Sequence, residues 1–340
     1  MRIYFLENSI SKKVMSIAYM IAPCPSRYIA YFDNPSRNVA YAVRRLCRDE
    51  YLEKKKVDGK NYLFLGKKKC EEPFKNASLF YNANRNRTWQ LADSKKKNQR
   101  NRRNANMALA LAVMVGSGAE VIPGIKPAFG EPCSPGRYYY TAMELKENNS
   151  IGLRESRATG FLFNKTEGYL IYGQNIKTVS LNASAELKQW LYCTQTGRKM
   201  IGGPLFLRKK KAMIISEKDR FIENVLRKKD NEFDYLMFDE IYFFNVRKNK
   251  RHIKLFLDGR LKTEDKQGIV FDYEDEDGLH FKFYEPNIMR LRQVVNYAKQ
   301  QGCPFVIDCF DFQAETLSKA LEGIASVNPC TLEDFLGGKA

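Results

Sequence analysis

The pattern that most restricts this chain is a two-faced helix followed directly by a hairpin. From Pro35 to about Glu50, at roughly 100° per residue, Val39, Val43 and Leu46 fall on one side with Ala42 beside them. Arg37, Tyr41, Arg44, Arg45 and Arg48 fall on the other. An apolar stripe of this kind has to be buried, which leaves the arginine side outward. Two strand-like runs follow, Leu52 to Val57 and Lys60 to Leu65, separated by Asp58-Gly59. That dipeptide is a type I′ turn signal, because both turn positions need positive φ.

The segments upstream complete a motif. Ile10, Val14, Ile17, Ala18 and Ile21 form one apolar stripe on a first helix. Pro23-Cys24-Pro25 stops it, Pro25 opens a short second helix from Ser26 to Phe32, and Asn34 caps the third with Pro35 at its first position. Three helices and a basic hairpin, residues 1–66, are the order of a winged helix-turn-helix domain. The arginines would reach guanine edges or phosphates in a major groove, while Lys54, Lys55, Lys56 and Lys60 neutralise backbone beside it. A merely solvated basic face, RNA binding and protein binding are the competing readings.

Charge supports a polyanionic partner. The 340 residues hold 57 Lys+Arg against 39 Asp+Glu, a formal +18. Residues 1–103 carry 24 basic and 9 acidic side chains, so almost the whole excess lies in the first third. Residues 67–103 read as a basic linker or arm, ending in Lys95, Lys96, Lys97, Arg100, Arg102 and Arg103. It is either a solvated tether or a segment that tracks phosphates without choosing sequence. Trp89 within it reads as a packing anchor.

The longest apolar run, Ala105 to Val115, is far short of the ~20 residues of a membrane span. The first residues lack a secretory signal, and eight scattered cysteines form no CxxC pair. A cytoplasmic location with reduced thiols, and no membrane partner, is the expectation.

Residues 104–328 read as a mixed α/β domain, with 329–340 as a frayed tail. Asn104 to Val115 is expected to be helical. Strands are expected at 137–145, 158–163, 169–172, 212–215, 240–246, 253–257, 269–273, 279–284 and 304–308, and helices at 184–199, from Ser216, at 287–300 and at 313–321.

Catalytic signatures are sparse. No GxxxxGK[ST] and no His-x-His occur, and His252 and His280 sit in separate strand-like contexts. Glu144 and Lys146, two apart at the end of an expected strand, would point the same way, as in metal-dependent PD-(D/E)xK nucleases. That alternative, an endonuclease or nickase, would require Mg or Mn; otherwise no cofactor or metal is expected. The acidic stretch Asp272 to Asp277 reads as a solvated hairpin tip, since it lacks calcium-loop spacing.

With these pieces in place, the chain resembles uncharacterised proteins of Firmicutes mobile elements, similar to the replication-relaxation family. The resemblance rests on the segment from Ser9 to Leu65, on Tyr140-Thr141-Ala142-Met143-Glu144-Leu145-Lys146, on Ser156 to Phe163 leading to Tyr169-Leu170-Ile171-Tyr172, and on Cys309-Phe310-Asp311-Phe312-Gln313. It implies a winged helix-turn-helix joined to a nuclease-like, possibly restriction-endonuclease-like, α/β domain. It also implies a role on plasmids or other elements, in replication, conjugation or their regulation. Double-stranded DNA, a second copy of the chain, and replication or transfer proteins are the implied partners. The chain departs from the family pattern in having no complete nuclease motif.

Overall fold

The computed structural model describes residues 9–21, 24–32, 36–57, 59–68, 95–122, 125–148, 155–174, 181–202, 209–227, 235–261 and 270–338. Its architecture is mixed α/β, and the chain divides into two compact units, Met1–Gly173 with Ser184–Arg208, and Gln174–Ala183 with Lys209–Ala340. Asn34, Pro35, Asp58 and Trp89 lie outside the described residues.

In the first unit, α1 (Ile10–Ile21) buries nearly all of its apolar side chains, because it packs against other helices on more than one side. The expected second helix is a 3₁₀ segment, Ser26–Tyr31. Held between Pro25 and an extended Phe32, it is too short for an i→i−4 ladder. Helix α2 (Ser36–Arg48) buries Val39, Ala42 and Leu46. Strands β2 (Leu52–Val57) and β3 (Lys60–Leu65) pair with Val57 opposite Lys60, which leaves a two-residue turn with Gly59 at φ 74°. A short strand the sequence did not suggest, β1 (Cys24–Pro25), adds antiparallel to β3, giving the order β1-β3-β2.

Helix α3 (Lys95–Gly116) starts nine residues before its expected beginning and runs unbroken through the boundary drawn at 103/104. Residues 95–103 are therefore helix rather than irregular linker. From Met107 to Val115 every residue is buried, the signature of a helix surrounded by protein. Two glycines permit this. A Cβ on Gly116 would lie 2.1 Å from the Tyr31 carbonyl oxygen, and one on Gly173 would lie 2.1 Å from that of Asn106. Around this helix, each fully buried large apolar side chain stabilises the fold by about 1.5–3 kcal/mol.

Strands β4 (Arg137–Thr141), β5 (Gly160–Asn164) and β6 (Glu167–Gln174) form an antiparallel meander. The strand expected to run to Leu145 stops at Thr141 and becomes α4 (Ala142–Asn148). The cause is a capping box: the Thr141 N–H donates to Glu144 Oε2 at 2.6 Å, and the Glu144 N–H donates to Thr141 Oγ1 at 3.3 Å. Helix α5 (Ala183–Ile201) covers the meander, with Trp190 against Phe161 and Gly197 leaving room for the Phe163 ring.

The second unit begins with a parallel pair, β7 (Lys211–Ser216) and β8 (Glu240–Asn245), with α6 (Arg220–Arg227) between them in sequence. Residues 253–257, expected as a strand, lie in helix α7 (His252–Leu257). Ile253, Phe256 and Leu257 are buried at i, i+3 and i+4 spacing, and that helical period overrides the β-like composition. Strands β9 (Tyr273–Asp275), β10 (Gly278–Lys282), β11 (Phe305–Phe310) and β12 (Ala325–Cys330) form a sheet of order β12-β11-β10-β9, parallel across β10, β11 and β12. Helix α8 (Ile288–Gln301) is capped by Asn287 and stopped by Gly302 at φ 66°. Helix α9 (Asp311–Ala320) links β11 to β12.

The expected frayed tail carries regular structure in its described residues, 329–338. Residues 325–330 are the edge strand β12, α10 (Leu332–Leu336) follows, and Phe335 packs on Tyr284 and Phe310. Pro329 concealed this strand in the sequence, yet proline is tolerated at a sheet edge.

Candidate nucleic-acid interface

Helix α2 presents the residues that the sequence grouped together. Arg37, Tyr41, Arg44 and Arg48 are exposed, and Arg45 is half-buried. Tyr41 stands out, since 61% of it is exposed on a helix whose opposite face is core. Asp49 lies 3.1 Å from Arg48 and 3.9 Å from Arg45, so one carboxylate partly neutralises two guanidinium groups. Arg44 Nε donates to the Ala40 carbonyl at 3.4 Å. Among the described residues, neither Arg37 nor Arg44 has a carboxylate at ion-pair distance.

The hairpin continues this surface. Glu50, at φ 64°, turns the chain from α2 into β2, and the Tyr51 N–H donates to the Leu46 carbonyl. Lys54, Lys55, Lys56 and Lys60 are exposed. Lys54 lies close enough to Cys47, on the last turn of α2, to oppose the upward pull of burial on that thiol. Lys55 pairs with Glu53 at 2.9 Å and sits 5.4 Å over the Phe64 ring. The structure thus brings the hairpin base and the end of the arginine helix together.

The basic arm is only partly described. Lys95, Lys96, Lys97, Arg100 and Arg102 lie on the first turns of α3, and their side chains fall outside the described residues. Arg103 is near Lys146, Arg157 and Glu186; burial, then the Arg157 charge, lower its pKa. Glu186 itself is buried and accepts from Ser156 Oγ at 2.7 Å, the Arg157 N–H at 2.6 Å and Tyr172 Oη at 2.8 Å.

Glu144 and Lys146 do not form the expected acidic–lysine pair. They sit two residues apart on a helix rather than a strand, which sends them to different sides. Glu144 is taken up by its cap and by Lys126, 2.6 Å away, in an almost fully buried ion pair. Burial lowers the Lys126 pKa against the opposing pull of Glu144, and its ammonium lies 4.4 Å over the Tyr140 ring. Lys146 belongs instead with Arg103 and Glu186; burial and then the Arg103 charge bring its pKa down to about 8. Glu144 and Lys146 therefore do not converge on one site.

Sequence reasoning missed a polar cluster in the second unit. The His280 Nδ1 lies 3.2 Å from Asp308 Oδ2 and its Nε2 2.8 Å from Asp275 Oδ1. Tyr273 stacks on the imidazole at 4.4 Å between centroids and donates to Asp308 at 2.8 Å; Asn328 donates to the same carboxylate at 2.9 Å. Asp272 accepts from Arg290 at 2.6 Å. The acidic hairpin is thus partly structural, and only Glu274, Glu276 and Asp277 remain as its solvated tip. The available signal was alternation: Tyr273 and Asp275 share a strand face and meet His280 on the neighbouring strand. Among the described residues no group of His, Cys, Asp and Glu could hold a metal ion, and no helix is long and apolar enough to cross a membrane.

Comparison with protein-family models, curated proteins and solved structures finds no match. The functional reading therefore rests on this chain's own surface.

Proposed function

We propose that this chain is a double-stranded DNA-binding protein. In this reading α1, the 3₁₀ segment, α2 and the β2–β3 hairpin form a winged helix-turn-helix. Helix α2 lies in the major groove, its arginines contact base edges or phosphates, and the hairpin lysines neutralise the adjoining backbone. The observation that carries the proposal is the exposed Arg37, Tyr41, Arg44 and Arg48 face on a helix whose other side is buried in the module. A face that served only solubility would not need an exposed tyrosine among its arginines, since aromatic and arginine side chains together favour a recognition surface. The resemblance noted in the sequence adds the biological setting: a mobile element, in its replication, transfer or their regulation, acting in the cytoplasm, with a second copy or a replication or transfer protein as further partner.

The test is selection of a bound duplex from a random library by the full chain, followed by a mobility shift on the selected sequence. Replacing Arg44, Arg45 and Arg48 with alanine is expected to weaken specific binding by about 1–3 kcal/mol per base-reading arginine. Recovery of no preferred duplex, or equal binding by the variant, would overturn the proposal.

A further inference from the structure

Three cations of the first unit meet around one buried carboxylate. Arg103 on α3 lies near Lys146 on α4 and Arg157 just before β5, and Glu186 on α5 lies near all of them. Arg103 and Arg157 are exposed and Lys146 is half-buried, so the cluster can be reached from solvent. Glu186 is fully buried, and its oxygens are committed to the Ser156 hydroxyl, the Arg157 N–H and the Tyr172 hydroxyl. Among the described residues, none of the three cations has a carboxylate at ion-pair distance. The cluster therefore carries a net of two positive charges, from three cations and one carboxylate.

Uncharged side chains beside the cluster supply a second observation. Asn104 Nδ2 and both polar side-chain atoms of Gln189, Nε2 and Oε1, are buried without a hydrogen-bond partner. Gln189 is 1% exposed and Asn104 8%. Gln189 lies one turn beyond Glu186 on the same buried face of α5, the spacing at which helix side chains are neighbours. Asn104 directly follows Arg103 on α3. Native proteins pair nearly all of their buried polar atoms, so unmet N–H donors mark a place for an acceptor. The positive charge and the unused donors call for the same occupant, an anion with several acceptor oxygens.

We infer that this cluster binds a phosphate monoester, held by Arg103, Lys146 and Arg157, with the Asn104 and Gln189 amides as further donors. Such a group carries about −1.5 to −2 near neutral pH, which matches the net charge of the cluster. A backbone diester carries only a single charge and would leave the cluster half-neutralised. Guanidinium groups take phosphate oxygens through paired N–H donors. The monoester is either a mononucleotide or the 5′-phosphorylated end of a strand, and Arg103 closes the basic stretch that begins at Lys95. The inference does not depend on groove reading by α2.

Isothermal titration of the full chain near pH 7 compares adenosine 5′-monophosphate with adenosine, and a 5′-phosphorylated oligonucleotide with the same strand lacking that phosphate. In at least one pair the phosphorylated form is expected to bind about tenfold tighter or more. The pair that responds identifies the source. Lys146→Gln is expected to erase most of that preference, and Lys146→Arg to keep it. Burial and the Arg103 charge bring the Lys146 pKa down to about 8, and a bound anion would raise it again. Binding near that pH is therefore expected to take up protons, read as heats that differ between buffers of different ionisation enthalpy. Lys146→Arg should still bind but lose the uptake, since arginine does not titrate there. Arg44→Ala is expected to leave the preference unchanged, which separates this site from the α2 surface. Circular dichroism confirms that each variant is folded. No preference in either pair, a folded Lys146→Gln with the parent's preference, no proton uptake by the parent, or a lost preference in Arg44→Ala would each overturn the assignment.

Discussion

Helix α2 turns Arg37 and Arg44 outward without a carboxylate partner among the described residues, whereas α4 buries Glu144 against Lys126 at 2.6 Å. Charged side chains thus do opposite work in the two regions. The Glu144 carboxylate is taken up inside the protein by the Lys126 ammonium and the Thr141 N–H. Charge on α2 is left available, apart from what Asp49 absorbs. A charge that is satisfied internally reports on folding; a row of charges left unsatisfied on a rigid helix reports on a partner. The comparison implies that substitutions in the two regions should separate cleanly into stability effects and binding effects.

The largest effect is expected from breaking the buried pair. Lys126→Met leaves Glu144 without its counter-ion and should cost about 3–5 kcal/mol in urea denaturation. Adding Glu144→Leu should recover much of the loss, because removing both charges is far less costly than stranding one. A Lys126→Met protein as stable as the parent would show that the pair is solvated.

Next comes pH. His252 is buried, its Nε2–H donates to the Tyr284 carbonyl at 3.0 Å, and burial lowers its pKa from 6.5 to about 4. Below about pH 6.5 the unfolded chain takes up the proton first, so stability is full above that pH and is lost as pH falls toward 4. The loss at that site approaches ~3 kcal/mol. His252→Gln should flatten this part of a stability–pH curve, and an unchanged slope would remove His252 as its cause.

On the exposed side, Arg44→Ala should weaken duplex binding by about 1–3 kcal/mol while changing stability by less than about 0.5 kcal/mol. A large stability loss would blur the contrast between α2 and α4. The smallest effect is expected from Asp49→Asn. It frees Arg45 and Arg48 and removes a negative charge from the C-terminal end of α2, so duplex affinity should rise by up to about 1 kcal/mol with little change in folding.

What the sequence made legible follows from which forces are local. The arginine face of α2 and its apolar stripe were readable because both depend only on helical period, and the hairpin because Asp58-Gly59 sets its own turn. The end of β4 was also encoded, as Thr141-Ala142-Met143-Glu144 is a capping box, but alternating aromatics before it suggested a longer strand. Helix α7 is hard to read for a related reason, since the i, i+3, i+4 spacing of Ile253, Phe256 and Leu257 covers little more than one turn in the sequence. The burial of Lys126 beside Glu144 was not legible, since it depends on neighbours distant in sequence. Nor could the strand reading of Glu144 and Lys146 survive once the capping box made that segment a helix.

The most direct test of the central claim is the salt dependence of duplex binding by the full chain, compared with the Arg37, Arg44, Arg45 and Arg48 to alanine variant. Each phosphate contact contributes a slope of about −0.9 in log K against log salt. The account expects a steep slope for the parent, a clearly shallower one for the variant, and unchanged urea stability for both. Equal slopes in two equally stable proteins would contradict it.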